Sequence, residues 1–196
     1  MQCIGLEAAV QMVGFYERAG FQKDCITTRR QMLFRSEASL DASSSQRSDV
    51  AVVPLREVSL EAIQRYDERH EISPRPHFLE LWLRHRAGDV FAARDAEGEC
   101  HGYVRIRPCL LPIGEGWRVG PWLAEDPGMA SLLLNNALDH HNGVVLIDTP
   151  GHNPSAKTIL SARGFKPMTS TVRMYKGLIP KGHDRNVYGL ACLELG

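Results

Sequence analysis

Two segments of this chain end a helix in the same way, 144 residues apart, and each leads into a β-rich stretch. GFYERAGF begins at Gly14 and ILSARGF begins at Ile159. Glycine suits the left-handed cap of a helix, so Gly20 and Gly164 mark helix ends. An offset of about one domain length is what a tandem duplication produces, although chance similarity is the alternative. The aligned pairs are Phe15 with Ile159, Gly20 with Gly164 and Phe21 with Phe165, and Arg30-Gln31-Met32 lies within one residue of Arg173-Met174.

The composition divides the chain into three parts. Serine and small polar residues replace periodic apolar ones from Ser36 to Asp49, which predicts a linker over residues 36–49. Residues 1–35 precede it as a partial segment, and residues 50–196 follow it as a full domain. Within the first part, the spacing of apolar residues predicts a helix over Glu7–Arg18, followed by a strand up to Phe34.

The elements after the linker follow the order β-α-α-β-β-β-α-β-α-β-β. Ser59 and Asp126 are predicted N-caps, and Pro76 is suited to the first turn of a helix. A bulge or bend is expected at Gly120-Pro121, and the all-apolar run VVLIDTP predicts a strand buried on both faces. Two closing strands, TSTVRMYKG and NVYGLACLEL, are expected to form a hairpin.

The composition also limits the functional classes. Lys plus Arg and Asp plus Glu number 23 each, so no overall field attracts nucleic acid or an anionic membrane. The five cysteines are scattered and never spaced as C-x-x-C, which favours reduced thiols over disulfides or zinc. No long apolar run or signal sequence is evident, and a cytoplasmic protein is expected. The pair His140-His141 suits a helix C-terminus, so no metal is expected.

The most specific stretch is IDTPGHNPSAKTILSARGF. In it a buried strand is followed by Asn153, by the small residue Ala156 three positions later, and by Gly-Phe. Together with the element order of residues 49–196, this resembles the GCN5-related N-acetyltransferase (GNAT) superfamily. GFYERAGF matches the same piece, with Tyr16 where many family members carry a tyrosine. The chain is therefore similar to the end of one GNAT domain followed by a complete second one, as in a tandem two-domain acetyltransferase.

The resemblance implies an α/β fold with a GNAT-like mixed central sheet flanked by helices, preceded by a partial repeat of one helix plus strands. It also implies an activity: transfer of an acetyl group from acetyl-CoA, as co-substrate, to a small-molecule or peptide amine by direct attack in a ternary complex. This chemistry requires a cradle for the pyrophosphate, a polarised thioester carbonyl, a base for the ammonium and an acid for the leaving thiolate.

Family members bind the coenzyme A pyrophosphate with a Gln/Arg-x-x-Gly-x-Gly/Ala loop at a helix N-terminus, where the macrodipole favours an anion. The corresponding loop here is EDPGMA, with Gly128 and Ala130 in place. Glu125 replaces the Gln or Arg, and Pro127 lacks an N–H donor. A plain acidic helix cap explains the same residues, so both interpretations stay open.

The segment after the buried strand is the second candidate for coenzyme binding. Asn153 either caps the following helix or, as the resemblance implies, contacts the coenzyme A chain through the split between neighbouring strands. The resemblance then implies that Leu123 and Met129 offer backbone groups to the pantetheine and the thioester carbonyl. Ala156 supplies the small residue of the motif.

Tyr16 and Glu115 are the candidates for catalysis. Tyr16 matches the family tyrosine, whereas the complete domain carries Leu160 at that position, which has no proton to donate. Glu115 and His101 flank the central strands and are the candidate bases.

Leu160 and the acidic loop favour an alternative from another class, a non-catalytic GNAT-like module that binds an acyl-CoA or a partner protein. An orphan helix and strands between Gly5 and Phe34 expose an apolar face. That face predicts packing on the complete domain or a homodimer.

Overall fold

The computed structural model of the chain describes residues 3–34, 49–112, 114–139, 141–179 and 184–193. The linker expected at 36–49 lies, except for Asp49, outside the described residues. The strands are β1 (Cys3–Ala9), β2 (Gln22–Phe34), β3 (Val50–Pro54), β4 (Asp89–Asp95), β5 (Cys100–Leu111), β6 (Gly114–Ala124), β7 (Gly143–Pro150), β8 (Lys166–Gly177) and β9 (Val187–Gly189). The α-helices are α1 (Val13–Arg18), α2 (Leu60–His70), α3 (Pro76–Arg84), α4 (Pro127–Leu138) and α5 (Pro154–Ala162).

The strands form one sheet in the order β1-β8-β2-β7-β6-β5-β4-β3, with β9 paired to β6. Strands β6 and β7 are parallel, and the other ladders are antiparallel. The predicted α/β fold, a mixed central sheet flanked by helices, is therefore confirmed.

Helices cover both faces of this sheet. On β5, Val104 packs in a core cluster with α4 and α5, whereas the preceding Tyr103 packs in a cluster with α2 and α3. Successive side chains of a strand point to opposite faces, so the two pairs of helices lie on opposite sides. The side chain of Ser59 accepts the N–H of Ala62 and begins α2 as predicted. No α-helix among the described residues is both long and apolar enough to cross a membrane.

We call residues 3–34 the N-terminal unit and residues 49–193 the main unit. Strand β2 of the N-terminal unit lies between β7 and β8 of the main unit, and β1 pairs with the outer side of β8. The predicted packing of the N-terminal segment on the rest of the chain is thus built from backbone ladders of the same sheet.

The predicted helix over Glu7–Arg18 is wrong in its first part. Glu7 lies in β1 opposite Arg173 of β8, and only Val13–Arg18 is α-helical after a short 3-10 turn. Residues such as Glu and Ala have helical propensity, but the ladder with β8 overrides it. Two valines of this segment stand at helical spacing, and only Val13, which is 8% exposed, faces the core, because Val10 is 60% exposed.

The predicted hairpin at the C-terminal end is also wrong. Strand β8 pairs with β1 and β2, whereas β9 comprises only Val187–Gly189 and pairs with β6. The last strand therefore pairs with β6 on one side of β7, whereas its predicted partner, β8, lies on the other side.

Candidate functional site

Helix α4 begins directly after β6, and its first turn is capped by its own acidic residue. The Oδ1 of Asp126 accepts the N–H of Met129 at 2.9 Å, and the Asp126 carbonyl accepts the N–H of Ala130 at 3.0 Å. Pro127 has no N–H to offer, and a Cβ on Gly128 would lie 3.1 Å from the Asp126 carboxylate. A carboxylate thus accepts one N–H of the turn predicted to bind a pyrophosphate, and its charge opposes a second anion.

Glu125, the other acid of this loop, is bonded to His101. Nδ1 of His101 lies 2.9 Å from Oε1 of Glu125, and Nε2 lies 2.7 Å from Oδ2 of Asp95. Burial opposes the charged imidazole, but the hydrogen bonds to Asp95 and Glu125 outweigh it and raise the pKa of His101. A raised pKa favours the protonated ring, which has no lone pair to accept a proton from an amine.

Asn153 caps α5 and is nearly fully buried, with 3% of its surface exposed. Its Oδ1 accepts the N–H of Ala156 at 3.0 Å. Its Nδ2 donates to the carbonyl oxygens of Arg185 at 2.8 Å and Val187 at 3.0 Å. The side chain that the resemblance assigns to coenzyme A is therefore bonded to the chain itself.

Strands β6 and β7 diverge just before this asparagine. Their parallel pairing covers only Trp117–Val119 and Val145–Ile147. The register between β5 and β6 shifts between Val104 and Ile106, which places the extra residue of the predicted bulge at Gly120-Pro121. A wedge opens between β6 and β7 beyond the bulge.

Residues 184–193, which we call the closing segment, occupy this wedge. Val187 pairs with Leu123 of β6. The N–H of Leu190 donates to the carbonyl of Asp148 on β7 at 2.9 Å. The closing segment therefore bridges both strands with backbone hydrogen bonds.

The closing segment fits tightly against both walls of the wedge. A Cβ on Gly120 would overlap the carbonyl oxygen of Leu190. A Cβ on Gly189 would lie 3.3 Å from Cγ2 of Ile147 and 3.4 Å from Cβ of Trp122. At this level the wedge holds polypeptide where the resemblance predicts the pantetheine arm.

The structure groups the predicted coenzyme residues around the ends of β6 and β7 and the first turns of α4 and α5. Leu123 is buried against Val187, and its neighbour Trp122 donates its indole N–H to the carbonyl of Ala130 at 3.1 Å. The predicted coenzyme residues brought together here are Leu123, Gly128, Met129, Ala130, Asn153 and Ala156.

Tyr16 lies apart from this group, on α1 of the N-terminal unit. Its ring makes edge contacts with Phe15 at 5.4 Å and Phe21 at 5.7 Å between centroids. The aligned residue of the main unit, Leu160, is fully buried in the core.

Glu115 is also remote from the group. It is exposed near the first residue of β6, opposite Leu110 of β5. Leu123 lies eight residues further along the same strand, which corresponds to roughly 26 Å at the rise of an extended chain. The structure does not bring Glu115 and the wedge together.

A cavity of about 670 Å³, which we call the central pocket, lies between the two units. It is lined by β1, β2 and β8, the loop after α2, the loop after β7 and part of the closing segment. No motif pointed to it, because its lining comes from distant parts of the sequence. Its charged and thiol side chains include Glu7, Asp24, Cys25, Arg75, His152 and Arg173.

One wall of this pocket is fixed by a buried ionic network. Arg75 donates to both oxygens of Asp67, at 2.9 and 2.8 Å, and to Glu71 at 2.7 Å. The hydroxyl of Tyr103 donates to Asp67. Burial raises the pKa of Tyr103 well above its usual value, so the hydroxyl keeps its proton for this bond.

Comparison with known families matches residues 63–189 of the chain to the model described as an acetyltransferase (GNAT) domain. This range runs from the first turn of α2 to the end of β9 and covers more than half of the chain.

The chain is also similar to individual proteins. It is 25% identical over 195 residues to holothin acyltransferase from Pseudoalteromonas sp. (strain SANK 73390), covering 98% of this chain and 62% of that protein. A putative acetyltransferase from Pyrococcus horikoshii superposes with a TM-score of 0.74 at 20% identity, covering 99% of this chain and 60% of that one. Eis1 from Mycobacterium abscessus gives a TM-score of 0.59 at 16% identity, with 89% and 47% covered. The chain thus spans about three fifths of the first two relatives, and at these identities the solved structures establish the fold alone.

Proposed function

Because the chain belongs to the GNAT family of acetyltransferase enzymes, we propose that it serves the transfer of an acetyl group from acetyl-CoA to an amine, with the main unit as the half that does not hold the coenzyme. In this reaction the amine nitrogen forms a bond to the acetyl carbonyl carbon and the carbon–sulfur bond breaks. The amine loses a proton to a base, and the leaving thiolate takes one from an acid.

The observation that carries the division of labour is the closing segment. It forms a ladder with Leu123 and accepts both amide hydrogens of Asn153, so these groups are already bonded. A coenzyme chain in the same wedge has to displace those bonds together with the buried side chains of Val187 and Leu190. The carboxylate of Asp126 opposes the pyrophosphate at the neighbouring helix end.

The N-terminal unit supports the catalytic part of the proposal. Its order of β1, α1 and β2 repeats that of β7, α5 and β8. Tyr16 on α1 stands where the resemblance implies the family tyrosine. We assign Tyr16 the role of acid toward the leaving thiolate, in a site built on β1 and α1. The exposed apolar side chains of this unit support such a site. Met12 is 41% and Phe15 is 54% exposed, whereas the equivalent residues of α5, Ala156 and Ile159, are buried.

The name of the curated relative supports acyl transfer as the reaction class, since the similarity extends over 195 residues of this chain. The non-catalytic module is the second candidate. The filled wedge favours it, because a GNAT-like fold without a coenzyme cleft still offers a binding surface.

Two measurements on the purified chain test the proposal. The first is thermal melting with millimolar acetyl-CoA, with coenzyme A and an unrelated nucleotide as controls. A ligand at 100 times its dissociation constant stabilises by about 2.7 kcal/mol, a shift that melting resolves. The second is release of free coenzyme A thiol in the presence of a panel of amines, for the wild type, Tyr16→Phe and Asn153→Ala.

Turnover that is lost in Tyr16→Phe and kept in Asn153→Ala is the expected result. Ser59→Ala, which removes the cap of a different helix, α2, serves as the control for reduced stability. A specific stabilisation by acetyl-CoA that disappears in Asn153→Ala would overturn the division of labour, because the wedge would then be a working coenzyme site. A folded chain with neither binding nor turnover would leave the non-catalytic module as the function.

A further inference from the structure

Three chemically distinct donor groups meet at the edge of the central pocket. Asp24, Cys25 and His152 each offer one ligand atom, and these atoms all lie within 4.8 Å of one another. The Nε2 of His152 is 2.9 Å from Oδ2 of Asp24. All three residues line the pocket. None of them has a role in the function proposed above.

A β-bulge explains why two consecutive residues reach the same pocket. The ladder between β2 and β8 is regular up to Lys23 and resumes at Ile26 with a shifted register. In a regular strand Asp24 and Cys25 would point to opposite faces of the sheet. A bulge locally changes the direction of side chains, and here both residues line the pocket.

The loop after β7 approaches this bulge closely. A Cβ on Gly151 would lie 2.7 Å from the carbonyl oxygen of Ile26, so only glycine allows the two backbones to come this near. The next residue is His152, which is thereby placed against the bulge. The three donors are thus fixed by two features of the backbone.

We propose that Asp24, Cys25 and His152 form a zinc site that fastens the N-terminal unit to the main unit. A carboxylate oxygen, a thiolate and an imidazole nitrogen are all ligands that Zn²⁺ takes, at distances whose tetrahedral arrangement separates the donors by about 3.3 to 3.6 Å. To reach this arrangement, the Asp24 and His152 atoms separate from 2.9 Å by a few tenths of an ångström, and the thiol, which lies within 4.8 Å of both, approaches by at most about 1.5 Å. Zn²⁺ takes four ligands, so the fourth is supplied by water.

The thiol of Cys25 holds a proton that zinc has to displace. Burial raises the pKa of Cys25 to about 11, the carboxylates of Asp24 and Glu7 add to this rise, and the backbone N–H of Gly151 and the charge of Arg173 oppose it. Zinc therefore competes with a proton at this sulfur. When zinc binds, the sulfur–hydrogen bond is replaced by a sulfur–zinc bond and the proton passes to solvent.

The scattered cysteines of the sequence gave no indication of this site. Cys25 and His152 come from units that are far apart in the chain, and Asp24 and His152 are 128 residues apart. A metal bound by both units closes a very long loop of the unfolded chain. A cross-link lowers the entropy of the unfolded state more when the loop that it closes is longer.

The test is titration of the metal-free full chain with Co²⁺, which replaces zinc and reports its ligands optically. One equivalent is expected to produce a thiolate-to-cobalt charge-transfer band, and Zn²⁺ is expected to abolish it. The band should be absent in Cys25→Ser. In Asp24→Asn and His152→Gln the affinity should fall by at least the roughly 10- to 100-fold that loss of an outer-shell partner costs.

Matched controls separate the site from other thiols and imidazoles. Cys109→Ser removes a half-buried thiol elsewhere on the sheet, and His101→Gln removes another imidazole that is bonded to carboxylates. Both should keep the band. No band at one equivalent, or a band that persists in Cys25→Ser, would overturn the proposal. X-ray absorption of the zinc-loaded wild type tests the same point without a variant, because a site without one sulfur neighbour contradicts it.

Discussion

Thr27 and Thr171 face each other across the antiparallel ladder of β2 and β8. A local twofold axis passes between them and relates the segment β1-α1-β2 to the segment β7-α5-β8. The axis relates Arg29 to Arg173 and Asp148 to Glu7. Each arginine is bonded to the acid of the other unit: Arg29 to Asp148 at 2.7 Å, and Arg173 to Glu7 at 2.8 Å. The repeat seen in the sequence is thus also a repeat of ion pairs, with Arg29 rather than Arg30 as the equivalent of Arg173.

The two threonines break this symmetry, because both of them donate to Glu7. The first prediction concerns this glutamate. Glu7 accepts hydrogen bonds from Thr27 at 2.8 Å, from Thr171 at 2.6 Å and from Arg173. Because its side chain is only 4% exposed, we expect Glu7→Gln to lower the free energy of unfolding by about 3 kcal/mol, mainly by leaving a buried charge unpaired. Urea denaturation measures this.

Glu17→Gln is the control for this first prediction. Glu17 pairs with Lys23 at 3.0 Å with about half of each side chain exposed, so its loss should cost less than about 1 kcal/mol. Equal costs for the two variants would mean that the axis-related pairs contribute no more than surface pairs.

The second prediction concerns the cap of α5. Asn153→Ala removes the acceptor for Ala156 and both donors to the closing segment, and it takes the Asn153 donor away from the buried carbonyl of Val187 and the partly buried carbonyl of Arg185. We expect a loss of about 2 to 4 kcal/mol in urea denaturation, the sum of a lost cap and unsatisfied buried groups. Ser59→Ala removes only a cap, at 3.0 Å from Ala62, and should cost about 1 kcal/mol. Similar costs for both would contradict a structural role of the closing-segment bonds.

The third prediction tests how tightly the closing segment fits. Gly120 has a φ of +148°, and an added Cβ would overlap the carbonyl oxygen of Leu190. Gly120→Ala should therefore displace the closing segment, and amide hydrogen exchange should accelerate at residues 187–190. Gly98→Ala is the control: Gly98 also has a positive φ, of +89°, but an added Cβ there would contact nothing within 4 Å. That control should cost only about 1 kcal/mol and leave exchange at 187–190 unchanged.

The fourth prediction concerns the wall of the central pocket. Asp67 is fully buried and carries one of the two charges that balance Arg75, the other being that of Glu71. Asp67→Asn should destabilise the chain by about 3 kcal/mol, because the buried guanidinium loses one of its two carboxylate partners. Arg65→Gln breaks an exposed pair with Glu99 and should cost at most about 1 kcal/mol. If Asp67→Asn unfolds at the wild-type urea concentration, the network does not hold the wall.

The fifth prediction is a pH dependence. The pKa of His101 is raised in the folded chain, so its contribution to stability is complete below the unfolded value and is lost as pH rises through the folded value. The stability difference between wild type and His101→Gln should therefore be largest below the unfolded pKa of about 6.5 and shrink as pH rises above it. Melting at a series of pH values measures it, with His77→Gln as an exposed control. A difference that grows with pH would contradict the bonds to Asp95 and Glu125.

The local signals in the sequence predicted local structure well. Ser59, Asp126 and Asn153 each cap a helix in the structure, and their side chains were identified from the residue type before an apolar run. The parallel strand β7 was predicted from its apolar run, because such a strand is buried on both faces. The grouping of the EDPGMA loop with Asn153 follows from the same order, since both loops come after adjacent strands.

Features that depend on distant partners could not be predicted. Residues 7–9 have helical propensity on their own, and only the ladder with β8 makes them a strand. The closing segment has the composition of an ordinary strand, and nothing in it indicates that it pairs with β6. Asp24, Cys25 and His152 meet only because a bulge and a glycine contact bring two units together.

The position of β2 between β7 and β8 has a consequence for how the chain holds together. β7 and β8 follow each other in sequence but are not neighbours in the sheet, so residues 49–193 alone would leave a gap one strand wide. The peptide link between β2 and β3 therefore keeps β2 at high local concentration near that gap. Cutting that link would turn one folded chain into a two-chain complex with the same sheet, and in this architecture covalent continuity and subunit assembly are interchangeable.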